Sequence, residues 1–187
     1  MRLHISIFLA IACLTLAACG RAADTSAEIE RIKKDAQAAY PNDPLSAAKK
    51  ANVDLSRLAM PSSADNKPQL AASAFLGYYW KGVYGFPTYC QQQGEALPEF
   101  TRNYISVNRP WHDAASKFPG MPTFDAQAKA RAFKQAQEEI MSVAKGKMTS
   151  TREICAMLEG NAATVVERMK FSAVAPELYK QLLSKHE

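Results

Sequence analysis

Proline and glycine divide this chain of 187 residues into segments of helical length, and this division constrains its fold more than any other feature. Alanine is abundant, and no stretch alternates β-branched or aromatic residues with polar ones as a half-buried strand does. Apolar residues recur instead with the spacing of one helix face. The sequence therefore predicts an all-α fold, an irregular bundle of about six or seven helices with one disulfide.

Local signals mark the first helices. Thr25 and Glu28 form a capping box for a first helix that runs to about Tyr40 and is stopped by Pro41. Asp43-Pro44 then predicts the start of a short second helix, because aspartate suits the N-cap and proline suits the first helical position. That helix is expected to end near residue 51, and residues 52–67 read as a loop.

A central, mostly buried helix is predicted over residues 68–84, where Lys81 is the only charged residue. Gly85, Pro87 and Gly94 are expected to break the segment that follows it, in which residues 88–93 could form one further turn around Cys90. A later helix contains Pro110, which is expected to kink or divide it because proline lacks the N–H that a helix interior uses.

A long amphipathic helix is predicted to begin at Thr123 or Asp125 and to end at Gly146, since glycine commonly terminates helices. Ser150 and Glu153 form a second capping box, which places the start of the next helix.

The N-terminus has the organisation of an export signal. A short positive start precedes an apolar run over residues 5–16, which is shorter than the about 20 residues needed to span a bilayer. Leu16-Ala17-Ala18-Cys19 follows and resembles the lipobox of bacterial lipoproteins. The resemblance implies that residues 1–18 are a signal peptide and that the Cys19 thiol is lipidated. The alternative is an ordinary secreted protein cut after an Ala-x-Ala-like site.

The lipobox resemblance also implies a location. Residues 19–25 form a lipidated tether whose extended part reaches roughly 20 Å at about 3.4 Å per residue, and residues 26–187 form a helical periplasmic domain. Gly20 in place of aspartate implies, as in lipoproteins of the enteric type, transfer to the periplasmic face of the outer membrane. The inner membrane is the alternative.

The charge of the chain gives little indication of a partner. Loss of residues 1–18 removes Arg2 and lowers the formal net charge of +5 by one. This excess favours anionic headgroups only weakly, and no basic cluster stands out. A solvated surface without a nucleic-acid partner is the preferred interpretation.

Cysteine usage predicts one disulfide. Cys13 leaves with the signal peptide and Cys19 carries lipid, so Cys90 and Cys155 remain. The periplasm is oxidising, and a bond between them would stabilise the fold by about 4 kcal/mol in the chain-entropy model. The alternative is that Cys90 is a nucleophile paired with His112.

No catalytic, metal or cofactor site is predicted. The mature chain has too few histidines for a His-rich zinc site, and it lacks a Gly-x-Ser-x-Gly elbow. Glu95 or Glu99 would be the candidate acid of a cell-wall glycosidase. Both residues are better interpreted as charges near a helix N-terminus.

Aromatic residues are concentrated in residues 75–89, and more follow. Tyrosine, tryptophan and arginine are enriched at the centres of protein interfaces. The sequence therefore suggests a partner-binding face, and the alternative is that these rings fill the core with their polar ends in water. The residues predicted to form that face are Trp80, Lys81, Tyr84, Arg109 and Trp111.

The expected function is non-enzymatic protein binding at a membrane surface. Small, all-helical, disulfide-containing periplasmic immunity proteins, which neutralise secreted antibacterial toxins, look similar in overall organisation, although no shared motif carries that similarity. An accessory subunit of an envelope assembly and a cell-wall enzyme are the alternatives.

Overall fold

A computed structural model describes residues 22–41, residues 67–183 and, between them, positions 47, 50, 51, 53 and 54. Over these residues the fold is all-α, as predicted, and Cys90 and Cys155 form the predicted disulfide. The predicted N-terminus of the second helix at Asp43-Pro44 lies outside the described residues. The described positions from 47 to 54 are helical, so this helix continues past its predicted end near residue 51.

Apart from the helical positions between 47 and 54, nine helices are described, and from residue 67 onward they are joined by connections of at most ten residues. They are α1 (Ala22–Ala39), α2 (Lys67–Trp80), α3 (Phe86–Gln92), α4 (Pro98–Ala115), α5 (Ala126–Lys147), α6 (Thr151–Gly160), α7 (Ala162–Arg168), α8 (Phe171–Val174) and α9 (Pro176–Leu183). A π-helical segment, Lys81–Gly85, joins α2 directly to α3.

The first helix begins earlier than the sequence predicted. α1 starts at Ala22, so Thr25 lies inside it and is not its N-cap. Alanine is the best helix former, and Ala22 and Ala23 extend the helix into the predicted tether. Ile32 and Ala36 of α1 are buried together with Ala51 of the next helix.

The prediction that Gly85 and Pro87 break the chain after the central helix was wrong. The backbone N–H of Phe86 bonds to the carbonyl of Lys81, five residues back, and the chain then continues as α3. Pro87 directly follows the π-helical segment, at the first or second position of α3. The π-helical segment thus carries one continuous helical rod from residue 67 to residue 92.

Two glycines let this rod approach its neighbours closely. A β-carbon on Gly82 would lie 2.1 Å from the ring of Tyr104 on α4. One on Gly85 would lie 2.3 Å from the carbonyl oxygen of Ala132 on α5. At Gly82 and Gly85 the backbone of the π-helical segment therefore packs directly against α4 and α5, and a β-carbon does not fit at either position.

The core surrounds α2 and the π-helical segment. Aromatic side chains dominate its fully buried centre, among them Phe75, Phe86, Phe100 and Tyr104. This arrangement confirms α2 as the central buried helix.

α4 continues through Pro110 to Ala115, so the proline does not divide it.

Capping signals were predicted more accurately than helix ends. Asp125 accepts a hydrogen bond from the Ala128 N–H at 2.8 Å, and Ser150 and Glu153 form the predicted capping box. Gly146 does not end α5. The helix continues to Lys147, and Met148 takes the left-handed terminal conformation with φ 51°.

Two long-range connections hold α6 in place. The disulfide joins Cys155 of α6 to Cys90 of α3. The carboxylate of Glu159 accepts hydrogen bonds from the backbone N–H groups of Glu99 at 2.9 Å and Phe100 at 3.1 Å. Glu159 thereby caps the N-terminus of α4 with a carboxylate from another helix. Its negative charge interacts favourably with the positive end of the α4 dipole.

Candidate functional site

The five residues predicted to form one binding face do not form a single exposed surface, although two of them, Trp80 and Tyr84, contact the same ring. Trp80 is only 6% exposed, and its ring lies 5.3 Å from that of Phe124. Tyr84 is half-buried and meets the same Phe124 ring edge-on at 5.5 Å. The predicted exposure of Trp80 was therefore wrong, because the connection between α4 and α5 places Phe124 over it.

Lys81 is also internal. Its side chain is 5% exposed, and its Nζ lies 2.6 Å from Oε2 of Glu139 on α5. The ammonium also lies 5.5 Å from the ring centres of Tyr78 and Phe86, within range of a cation–π attraction. Burial raises the pKa of Glu139, and the nearby Lys81 charge opposes this rise only in part.

The polar groups around this ion pair bond to one another. The Tyr78 hydroxyl donates to the carbonyl of Met169, and the Tyr104 hydroxyl donates to the carbonyl of Tyr78 at 3.1 Å. Burial raises the pKa values of both tyrosines. Within the described part of the chain, every fully buried polar side-chain atom has a hydrogen-bond partner. These polar groups are thus engaged inside the fold.

A narrow apolar cleft lies beside Glu139, between α5, α6 and α7. Its volume is about 40 Å³, which accommodates only a few water molecules. Ile140, Met157 and Val165 are among its walls. This space is too small for a partner's side chain to enter without rearrangement.

A larger groove opens beside Trp111, with a volume of about 330 Å³. This volume is in the range of sites that bind small molecules or inserted side chains. α4 forms one wall, and α8, α9 and the residue before α8 form the other. The lining residues are Val107, Asn108, Trp111, Lys170, Phe171, Ser172 and Tyr179.

The groove combines aromatic walls with polar groups. The rings of Trp111 and Tyr179 meet edge-on at 5.2 Å. Asn108 is 1% exposed, and its amide donates to the carbonyl of Tyr104 at 3.0 Å, which fixes the orientation of the side chain. Lys170 supplies a cation and pairs with Glu167. Such a site suits a group with an apolar body and a polar or anionic end.

Arg109 lies on another side of α4. Burial and the charge of Asp113 raise the pKa of Tyr79, whereas the positive charge of Arg109 lowers it. Arg109 is therefore close enough to Tyr79 to interact with it electrostatically. The centres of the His112 and Tyr79 rings are 4.3 Å apart. Cys90 is buried in the disulfide, so the alternative of a nucleophilic Cys90 paired with His112 was wrong.

The two candidate glutamates form ion pairs at the surface. Glu95 pairs with Arg152 at 2.7 Å, and Glu99 pairs with Arg102 in the first turn of α4.

No group of three or more potential metal ligands occurs among the described residues. None of the described helices is long and apolar enough to cross a membrane. Cys19, the residue predicted to carry lipid, lies outside the described residues.

Sequence reasoning selected Trp111, which lines the groove, as a candidate binding residue, but it did not select the other lining residues. Phe171, Ser172 and Tyr179 come from short helices far along the chain, and nothing in their local pattern indicates a contact with α4. Glu139 was also missed, since on its own helix it resembles the exposed Glu138 beside it.

Comparisons with known protein families, with curated proteins and with solved structures find no match to this chain. Over the residues that the structure describes, the chain is all-helical, and a disulfide joins α3 to α6.

Proposed function

We propose that this chain is a lipid-anchored periplasmic protein that binds a partner protein without catalysing a reaction. The groove beside Trp111 is the observation that carries this proposal, because it is a solvent-open recess that combines aromatic walls with a fixed amide and a cation. A partner would insert one side chain there, with its apolar part between Trp111 and Tyr179.

The disulfide supports an exported protein. Bonds of this kind form and persist in oxidising compartments and are rare in the cytosol. The lipobox-like sequence ending at Cys19 supports attachment to a membrane facing that compartment, and Gly20 supports the outer membrane.

The closest functional description is an immunity protein that neutralises a secreted antibacterial effector. An accessory subunit of an envelope assembly is the alternative. A neighbouring gene for a secreted toxin would favour the immunity role, whereas a neighbouring envelope operon would favour assembly.

The groove is tested by photo-cross-linking in cells. A diazirine amino acid replaces Val107 at the groove or, as a control, the exposed Ala130 on α5. We expect one protein adduct from position 107 and none from position 130. Trp111→Ala should weaken the purified complex by about 30-fold or more, which corresponds to a hot-spot residue. Adducts that are equal at both positions, or absent from both, would refute the binding role.

The anchor is tested separately by metabolic labelling with palmitate. Cys19→Ser should abolish the label and yield an uncut or soluble form of the protein. Label that persists on this variant would refute the lipobox assignment.

A further inference from the structure

Asn108 is a buried polar residue of the groove, and only one end of its amide is bonded. It lies in the interior of α4, where asparagine is unfavourable for helix formation, and it is 1% exposed. Its Nδ2 donates to the carbonyl oxygen of Tyr104 at 3.0 Å, so its Oδ1 points away from that carbonyl. No residue in the described part of the chain donates a hydrogen bond to this Oδ1.

The unbonded Oδ1 of Asn108 opens to the groove. Every fully enclosed polar side-chain atom among the described residues has a partner, so this oxygen is not enclosed. Asn108 is otherwise inaccessible and lines the groove, which is therefore the surface that its Oδ1 reaches. An occupant that fills the groove without donating to this oxygen would leave a buried acceptor unpaired, which is costly. The occupant must therefore carry a hydrogen-bond donor.

The charges around the groove favour a neutral occupant. Lys170 is the one charged residue among the described residues that line it, and its ammonium pairs with Glu167 outside the lining. A cationic occupant would lie near this ammonium without an acidic residue in the lining to compensate. A carboxylate has only acceptors, so it cannot donate to Oδ1 of Asn108. An uncharged donor satisfies both conditions.

The walls of the groove favour an aromatic ring. Trp111, Phe171 and Tyr179 line it, and aromatic rings attract one another beyond the effect of the area that they bury. Ser172 and Lys170 can donate to the same occupant, so its polar group should also accept. Phenylalanine has no polar group, the tryptophan indole cannot accept, and histidine becomes charged near neutral pH. Tyrosine joins an uncharged ring to a hydroxyl that both donates and accepts.

We propose that the groove receives a tyrosine of the partner protein, whose hydroxyl donates to Oδ1 of Asn108 and whose ring lies beside Trp111 and Tyr179. This inference deepens the proposed function and rests on it for the statement that the occupant belongs to a protein. The bond to Asn108 distinguishes tyrosine from phenylalanine, because phenylalanine in the groove would leave the Oδ1 buried and unpaired.

Nuclear magnetic resonance of the full chain, processed in cells, labelled with heavy nitrogen and purified in detergent, tests this inference. The chain has two tryptophans, so two indole N–H signals are expected. Trp111 lies in the groove, whereas Trp80, which packs against Phe124, is the internal control. The probes are N-acetyltyrosinamide and the corresponding compounds of phenylalanine, para-fluorophenylalanine and para-carboxyphenylalanine.

We expect N-acetyltyrosinamide to shift the Trp111 signal and to leave the Trp80 signal unchanged. Its dissociation constant should be lower by about tenfold or more than those of the phenylalanine and fluorophenylalanine probes, which leave the acceptor unpaired. The fluorophenylalanine probe has nearly the size of tyrosine, so it separates the bond from the fit. The carboxyphenylalanine probe should bind no better than the phenylalanine probe, because its carboxylate cannot donate.

Two variants test the role of Asn108. Asn108→Leu removes the acceptor with little change in size, and the phenylalanine probe should then bind at least as well as the tyrosine probe. Asn161→Leu is the matched control, because the Asn161 amide also donates to a carbonyl four residues back, that of Met157 at 3.0 Å, but lines the narrow cleft instead. This control should keep the preference for tyrosine. The probes on the unaltered chain decide the proposal even if Asn108→Leu does not fold.

Each outcome bears on the proposal. Equal affinities for the tyrosine and phenylalanine probes, tightest binding of the carboxylate probe, an unshifted Trp111 signal, or a tyrosine preference that survives in folded Asn108→Leu would overturn it. The photo-cross-link from position 107 separates it from the proposed function. A protein adduct without the tyrosine preference refutes tyrosine recognition alone. The preference without an adduct refutes the partner protein and supports recognition of the phenol, whereas loss of both refutes both.

Discussion

Replacing both members of the buried Lys81–Glu139 pair with apolar residues should leave the stability nearly unchanged, although either replacement alone should be strongly destabilising. The two side chains are 5% and 12% exposed, and their charged atoms are 2.6 Å apart. At that distance the attraction is roughly 6 kcal/mol for an effective dielectric constant of about 20. Removing the two charges from water costs several kcal/mol each, so the two effects nearly cancel.

The variants for this test are Lys81→Met, Glu139→Leu and the double replacement. Each single change leaves an uncompensated buried charge and should lower the free energy of unfolding by about 3–5 kcal/mol. The double variant should fall within about 1–2 kcal/mol of the parent. Urea denaturation followed by circular dichroism, with the disulfide intact, measures all three values.

The exposed pair Lys134–Glu138 on α5, with charged atoms 3.8 Å apart, is the control. Lys134→Met and Glu138→Leu should each change the stability by no more than about 0.5 kcal/mol. If the effects at Lys81 and Glu139 simply add in the double variant, the two charges do not interact and the reasoning fails.

The pH dependence provides a second check on the same pair. Burial raises the pKa of Glu139 above its ordinary value of 4.5, so protonation favours the folded state. This contribution is present below about pH 4.5 and is lost as the pH rises through the folded-state pKa. Lys81→Met removes the opposing charge and raises that pKa further. Its stability relative to the parent should therefore increase as the pH falls from about 8 to about 5, and a flat difference would contradict this assignment.

Five further changes test the packing and the backbone. Gly82→Ala forces a β-carbon into a buried ring and should cost about 3 kcal/mol or more, whereas Gly77→Ala, with open space around it, should stabilise by up to about 1 kcal/mol in thermal melts. Cys155→Ala should cost about 2–5 kcal/mol in urea, an effect that a reductant should reproduce in the parent. Trp80→Ala should cost about 3–5 kcal/mol, and unchanged melting would contradict its buried position. Met148→Gly should raise the free energy of unfolding by about 1 kcal/mol.

The features predicted correctly depend on short stretches of sequence. Ser150 and Glu153 form their capping box because both partners lie within one turn. Asp125 caps α5 for the same reason. The disulfide followed from elimination, since two cysteines remained after the predicted export signal and lipid site were set aside.

The failures arise where distant parts of the chain meet. Gly85 does not break the helix because its missing side chain allows contact with the backbone of α5. Trp80 is buried because Phe124, from a connection some forty positions later, covers it. Lys81 is likewise buried because it pairs with Glu139, a residue of a helix much later in the chain. Such contacts have no local signal, so sequence patterns alone placed these residues on an open face.

The groove shows the same limit at the candidate site. Trp111 was selected for its residue type and remains at a surface recess. Its companion Tyr179 belongs to α9, so the recess exists only once the last helices have packed against α4.

The disulfide also determines what one break in the backbone does to the molecule. Cys90 and Cys155 enclose α4, α5 and the connection between them, in which Pro119, Gly120 and Phe124 are exposed. Exposed connections are preferred sites of proteolysis. A protease that cuts there produces two fragments that remain covalently joined through sulfur. The nicked protein can therefore keep its packed core, whereas the reduced form would be held together by packing alone.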